Sequence, residues 1–556
     1  MTATNDPLDV LITGARVIDG TGNPWFHGDV ALAGERIAAI TPAGLIPPER
    51  AREVADGGGL VVCPGFIDIQ SHSIVPFLTD RRSLSKVTQG VTTEILGEAW
   101  TPAPFGGRVS RPFPEELPIR IGAEKATEWD ALGRSWTRFG DWLADLAGRG
   151  VSVNVGSFIG GGTVREFGKG YDLGDATPDE LHTMRGVVDA AMQDGAFGLA
   201  TALIYPPGQF AGTEELIALC EIVAKHRGVH ITHVRSEEAR LLDGIEEAIT
   251  IAKRTGVVTE IYHLKAAGAA NWHLMPSAMA RIDAARAEGI DITADMYPYT
   301  AAGTGLAACL PPWAAENDTL FANLRDPAFR ARVKAEMLSP AGDWEDLAGS
   351  TDGGGVTLAG LVKPEHRAYI GRSLAEVAAA RGQDWADAAI ALLIAEEQNV
   401  FCFFHMMTEP NLRRQLQQPW MKISTDAGGI DPERWTLPGL NHPRGFGTYP
   451  RVLGHYVREQ GVIPLEDAIR KMTSAVADRL FLRERGLLRA GCYADVVLFD
   501  PATVADRATF RDPHQLSTGI REVLVNGVRV LRDGVHTGAT PGHRLSGPGL
   551  VRNLVD

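Results

Sequence analysis

Residues 61–73 read VVCPGFIDIQSHS. Val61 and Val62 end one buried strand. Pro64 and Gly65 punctuate it, and Phe66, Ile67 and Ile69 form a second apolar run carrying Asp68 and His72. Adjacent Pro and Gly break regular structure, so the two runs are separate elements. A short buried strand that delivers an acid and an imidazole at its C-terminal end suits the active-site face of a (β/α)8 barrel. Taken alone, the stretch is equally a barrel strand ending in a hydrogen-bonded structural histidine, and the residues downstream decide between the two.

Downstream, strand-like and helix-like segments alternate. Residues 151–156, 195–202, 229–233, 258–263 and 290–296 are short apolar runs. Residues 179–193, 214–225, 238–254 and 277–287 have apolar residues at helical spacing. Such alternation predicts a parallel sheet with right-handed helical crossovers. The chain ends read differently. Residues 9–18, 29–32 and 36–40 are short strands separated by turn residues. Residues 495–499 and 522–530 are strands, with Asn526-Gly527 marking a hairpin. The Pro- and Gly-rich stretch 101–114 reads as an active-site loop, 339–356 as a polar insertion, and 542–556 as a surface tail.

With 556 residues, 44% of them hydrophobic, the chain has room for one large barrel and a smaller domain. A net charge of −15 opposes nucleic acid as a partner. Five scattered cysteines (Cys63, Cys220, Cys309, Cys402 and Cys492) form no C-x-x-C pair, which favours a reducing compartment. The N-terminal residues lack the basic and apolar regions of a signal peptide, and no apolar run reaches the length of a membrane span. The expectation is a cytoplasmic protein with no membrane partner.

The strand ends carry the candidate chemistry: Asp68 and His72; Glu94 and Glu98; His233 and Arg235 in HITHVRSE; His263 and Lys265 in EIYHLK; and Asp426 in MKISTDAGG. Neutral imidazoles on neighbouring strand ends, His233 and His263, suit Zn2+ or a similar borderline cation. Asp426 is placed to take a proton from water and pass it to a leaving nitrogen. A single strand-end histidine is ordinarily structural, and Asp426 could merely cap the turn before Ala427-Gly428-Gly429. The coincidence of all three argues for catalysis.

These residues lie in motifs that resemble the amidohydrolase superfamily. The opening stretch is similar to PGFID-x-H-x-H, with Gln70 where the first histidine of the pair would stand. Residues 86–97 (KVTQGVTTEILG), 196–208 (AFGLATALIYPPG), 295–299 (DMYPY), 442–455 (HPRGFGTYPRVLGH) and 486–499 (GLLRAGCYADVVLF) resemble its N-acyl-D-amino-acid deacylase branch. The resemblance covers residues 9–542. It implies a (β/α)8 TIM-like barrel over 63–479 and a discontinuous small β-sandwich built from 1–62 and 480–556.

The resemblance also implies one tightly held Zn2+ per chain, between a second-strand ligand and His233 and His263, with His72 belonging to a weaker site. Ala99 stands where the branch has a cysteine ligand, so Glu98 is the expected replacement; its alternative is an ion pair with Lys265 or Arg235. Lys265, Arg444 and Tyr205 match positions that hold the substrate carboxylate. Arg235 and Tyr297 are further candidates, Gln70 is expected to bond water or substrate, and Trp100 and Phe105 to line an acyl pocket. The expected activity is hydrolysis of an N-acyl-D-amino acid or related carboxylated amide, with Asp426 as general base and acid. The alternatives are a cyclic-amide or D-/β-linked dipeptide hydrolase, or a barrel without turnover that serves as a binding protein. A homo-oligomer is compatible with all of these.

Overall fold

The computed structural model describes residues 7–339, 344–397, 400–435 and 437–551. Eight parallel strands form its centre: Phe66–Asp68, Val91–Leu96, Asn154–Ser157 continued by Ile159–Gly160, Gly198–Ala202, Val229–His233, Val258–Ile261, Ile292–Met296 and Met421–Ile423. Each of these is paired with its neighbour in that order. The ring closes between the last and the first, where Asp426 N donates to Gln70 O (3.0 Å), His72 N donates to Ala427 O (3.1 Å), and Ser71 bridges Ala427. Ile67, Ile95, Phe158, Phe197, Ala200, Ile231 and Tyr262 pack together in one buried cluster. The fourth and fifth strands approach so closely that a Cβ at Gly198 would lie 1.7 Å from Val229 O.

Helices separate the strands, as the periodicity requires. Pro178–Gln193 begins with a capping box: Thr177 Oγ1 accepts from Glu180 N, while the Glu180 carboxylate accepts from Thr177 N. Its Met184, Val188 and Ala191 are buried in the large cluster that joins helices to strands. Thr213–Lys225, Leu241–Thr255 and Met275–Ala287 repeat the arrangement.

Both chain ends contribute to one further sheet. Nine strands lie in it, and Val61–Pro64 from the N-terminal part pairs antiparallel with Val496–Phe499 from the C-terminal part. Asn526 and Gly527 turn the hairpin between Ile520–Val525 and Val528–Arg532, both with positive φ (48° and 79°), as the sequence predicts.

Two expectations need correction. The insertion is much larger than a polar stretch at 339–356, of which 340–343 lie outside the described residues. A three-stranded antiparallel sheet (Ala302–Gly305, Val356–Gly360 and Phe401–Phe404) and several helices form a layer between the seventh and eighth barrel strands, with its own apolar cluster around Leu306, Leu358, Trp385 and Leu392. The residues after 542 are also more than a surface tail. Gly542 N donates to Val151 O, Arg544 bridges Val155, and Leu545 is buried, so the described part is tied to the third barrel strand; residues 552–556 lie outside the described residues.

Candidate active site

The C-terminal ends of the barrel strands converge on Glu98. Gly97 precedes it with a φ of 105°, and a Cβ there would lie 2.3 Å from Phe158 O, so the turn that aims Glu98 requires glycine. Glu98 Oε1 lies 3.4 Å from His263 Nε2 and 3.7 Å from His233 Nδ1. Its other oxygen, Oε2, lies 3.1 Å from His72 Nε2, which is itself 2.9 Å from Asp426 Oδ1. Glu98 therefore joins two trios of donor atoms, Glu98–His233–His263 and His72–Glu98–Asp426, each gathered within 4.8 Å. His263 (φ 30°) and Asp426 (φ 49°) sit in the left-handed region, where non-glycine residues carry backbone strain that surrounding structure must hold.

Electrostatics define what the site is suited to bind. Burial alone would raise the Glu98 carboxyl; the imidazoles of His233, His263 and His72 gathered around it outweigh burial and hold the group well below the usual carboxylate range. Asp426 is lowered in the same way, with burial opposed by the Arg444 charge and the His72 hydrogen bond. Burial pulls the His233 imidazole down, but Glu237 and Glu98 push it up to about 9. The carboxylates thus create a strong demand for positive charge between the histidines. Both ring nitrogens of His233 are buried and make no hydrogen bond. An orphaned imidazole facing a carboxylate and a second imidazole, at these separations, fits a divalent cation with N and O ligands.

Glu237 supports this arrangement from behind. Its Oε1 accepts from Lys265 Nζ (2.6 Å) and lies 3.2 Å from His263 Nδ1, and its Oε2 lies 3.4 Å from His233 Nε2. A carboxylate on the far nitrogen of a ligand imidazole fixes its tautomer and orientation.

The cavity above the trios has a volume of about 490 Å3. Arg444 enters it from one wall. Its Nη1 is 2.7 Å from Asp426 Oδ2 but is not aligned for a hydrogen bond, so Nε and Nη1 are buried donors without acceptors. Its guanidinium stacks over the Tyr297 ring at 4.5 Å, and the buried Tyr297 hydroxyl also lacks a partner. Lys265 lines the same wall. Unused donors beside a metal-competent trio are what an anionic group would satisfy.

Comparison with known proteins decides the family. Residues 431–531 match the model of the amidohydrolase family. A D-aminoacylase from Alcaligenes xylosoxydans xylosoxydans is 33% identical over 542 residues, covering 98% of each chain. The chain belongs to the amidohydrolase family, in its D-aminoacylase branch. Among solved structures, an N-acyl-D-glutamate deacylase from Bordetella bronchiseptica, complexed with zinc and a phosphonate mimic of the tetrahedral intermediate, superimposes with a TM-score of 0.79. It is 30% identical, and the match covers 98% of this chain and all of that one. A D-aminoacylase structure described for its binuclear metal centre, with one-metal activation and second-metal attenuation, superimposes equally well (TM-score 0.79, 33% identity, 97% and 100% covered). This protein is thus an enzyme of a metal-dependent hydrolase family, and the motifs quoted from its sequence correctly identify that family.

The expected site residues of this amidohydrolase divide into two groups. His72, Glu98, His233, His263, Lys265, Asp426, Arg444, Tyr205 and Tyr297 all line the one cavity. Tyr205 packs edge-on against His233 (5.5 Å) and donates to Thr304 Oγ1 (2.9 Å). Arg235 does not line it: its guanidinium is engaged by Glu247 and by the carbonyls of Gln209 and Ala211, which fixes it to neighbouring loops. Gln70 is 1% exposed and does not line it either. Its Nε2 donates to Glu98 Oε2 (2.6 Å) and its Oε1 accepts from Ser424 Oγ (3.3 Å), so its partners are protein groups and not a substrate. The ion-pair alternative for Glu98 also falls, because Lys265 is held by Glu237 and Arg235 by Glu247.

Asp68 and Glu94 lie below the site, bonded to Lys86 and to Ser71, Ser73 and Ser83. Trp100 lines an adjoining cavity; Phe105 stacks under Arg134 instead. Sequence reasoning missed Glu237, four residues past His233. The signal was the acid closing the HITHVRSE run, but only the turn after the strand folds it back onto both histidines.

Proposed function

We propose that this enzyme hydrolyses the amide bond of N-acyl-D-amino acids or closely related carboxylated amides. The observation that carries the reading is the pairing of unpartnered donors on Arg444 and Tyr297 with a metal-competent trio in one cavity. His233, His263 and Glu98 would hold one Zn2+ per chain. Such a cation, when bound, polarises a carbonyl and makes water more acidic. Gln70 supports a count of one, because its amide occupies the outer oxygen of Glu98 that a second cation between His72 and Asp426 would need.

Arg444 receives the substrate carboxylate with its planar fork, and Lys265 and Tyr297 complete the anchor. Asp426, ionised and 2.7 Å from Arg444, accepts the proton of the attacking water as its oxygen bonds to the amide carbon. When the C–N bond breaks, Asp426 returns that proton to the nitrogen, releasing an amine and a carboxylic acid. The anchor, the carbonyl position and a side-chain pocket make three attachments, and three attachments distinguish the two hands of a chiral centre. The relatives named for D-substrates support the D hand. The proposal also takes residues 1–62 and 480–556 as one discontinuous β-sandwich domain beside a barrel over 63–479, supported by the shared nine-stranded sheet. A cytoplasmic location is supported by five buried cysteines without disulfides.

The test uses N-acetyl-D- and N-acetyl-L-leucine, each as free acid and as carboxamide. Rapid hydrolysis of the D acid alone is expected, abolished by a chelator and restored by Zn2+. Equal rates on acid and carboxamide would remove the anion anchor from the mechanism, and an L preference would overturn the assigned hand.

A further inference from the structure

Glu237, whose carboxylate meets His233, His263 and Lys265, sits on the turn after the fifth barrel strand. Its backbone is held on both sides. Its carbonyl accepts from Ala267 N (2.7 Å), past the end of the sixth strand. Its N–H donates to Glu345 Oε1, and the same oxygen accepts from Glu238 N (3.1 Å). Glu345 belongs to the insertion between the seventh and eighth strands, 108 residues further along the chain. The contact is reciprocal, since the Glu238 carboxylate meets the backbone N–H of Asp346. Asp346 in turn accepts from Gly349 N (2.8 Å), which gives the grasping segment a turn of its own.

The clasp uses an acid where an acid is electrostatically unwelcome. Glu345 is buried, and burial and the Glu237 charge push its carboxyl up to about 7 against the opposing Glu237 N–H. Its Oε2 is buried and makes no hydrogen bond. Fastening the insertion alone would be better done by a side chain set away from a second acid. What Glu345 supplies is one oxygen that accepts two successive backbone N–H groups, and this fixes the peptide from which Glu237 turns back onto the histidines.

We propose that Glu345 is a positioning residue for the metal site: by holding the N–H groups of Glu237 and Glu238, it sets the Glu237 carboxylate against the imidazoles of His233 and His263 and so couples the docking of the insertion to metal affinity. The proposal rests on the reading of those histidines as metal ligands and deepens it. Glu345 touches neither cation nor substrate. Without it the Glu237 N–H loses its acceptor, and the carboxylate no longer has a fixed approach to both rings.

The experiment uses the full-length enzyme and reads Zn2+ affinity by chelator competition and the visible spectrum of the Co2+-loaded protein. Direct partners of ligand imidazoles are worth on the order of 10–100-fold in metal affinity; Glu345 acts through such a partner, so Glu345→Ala is expected to weaken Zn2+ by about tenfold and to alter the Co2+ spectrum. Glu345→Gln keeps an acceptor oxygen and removes the repulsion from Glu237, so it should retain the native affinity and spectrum with an equal or higher thermal midpoint. Glu238→Ala loosens the other half of the clasp and should leave both metal readouts unmoved. Native affinity and spectrum in Glu345→Ala overturn the proposal, as do equal losses in Glu345→Ala and Glu238→Ala, or a Glu345→Gln enzyme as weak as Glu345→Ala. Should Glu345→Ala fail to fold, Glu345→Asp, one methylene too short to reach both N–H groups, replaces it with the same expectations. If the native enzyme takes up no Zn2+ at the trio, the metal reading falls, and carbethoxylation of His233 and His263 in the metal-free chain, mapped by mass spectrometry, decides the positioning role. Labelling that rises at both in Glu345→Ala and stays native in Glu345→Gln retains it; labelling unchanged in Glu345→Ala overturns it.

Discussion

Glu98 is one carboxylate shared by two trios, and the residues on either side of it have separable tasks. His263 faces Oε1 and His72 faces Oε2. His263→Ala is expected to empty the tight metal site, whereas His72→Ala should leave most of the metal, as read by elemental analysis after gel filtration. Two tightly held equivalents in the native enzyme would refute the single-cation reading. Gln70→His exchanges an amide donor for an imidazole lone pair, and a second equivalent is the expected result. Asp426 differs from both histidines because the task proposed for it is proton transfer. Asp426→Asn keeps the shape and the contact with Arg444 but removes basicity. A loss in kcat on the order of a hundredfold or more, with metal retained, is the usual scale for a general base. Near-normal turnover would assign the proton to another group.

At the scale of elements, the catalytic geometry depends on closing the ring between its first and eighth strands. Lys86, on the short helix Leu84–Val87, is fully buried and donates to Asp68 and to Thr425 Oγ1, while Thr425 N donates to Asp68. This cross-link lies directly beneath His72 and Asp426, one on each of the joined strands. Breaking a buried ion pair leaves an uncompensated charge, at a cost of about 3–5 kcal/mol. Lys86→Met is therefore expected to lower the thermal midpoint clearly and to reduce activity without changing the cavity-lining residues. Lys86→Met combined with Asp68→Leu should recover part of the stability but not the alignment. A thermal midpoint for Lys86→Met equal to the native value would show that the backbone bonds close the ring unaided.

At the scale of the whole molecule, the two ends of the chain complete one sheet. Gly527, at the tip of the C-terminal hairpin, lies so close to the N-terminal turn that a Cβ there would be 2.1 Å from Gly34 O, and its φ is 79°. Gly527→Ala combines backbone strain with a backbone collision, and a loss on the order of 1–3 kcal/mol is expected in chemical denaturation. No change would mean that the two ends can shift apart freely.

Some of this was legible without coordinates. The alternation of apolar runs at strand and helix spacing determined a parallel α/β fold. Asn526-Gly527 determined a hairpin, and the motifs around His233, His263 and Asp426 determined the family. These are local signals, since backbone period and turn preference are properties of neighbouring residues. The tertiary structure decided the rest. His72 meets Asp426 across 354 residues of chain. Gln70 turns onto Glu98 and not toward the cavity, Glu237 folds back behind two imidazoles, and Arg235 is captured by Glu247. No periodicity encodes those choices, because each depends on which buried donor finds an acceptor once the ring of strands has closed.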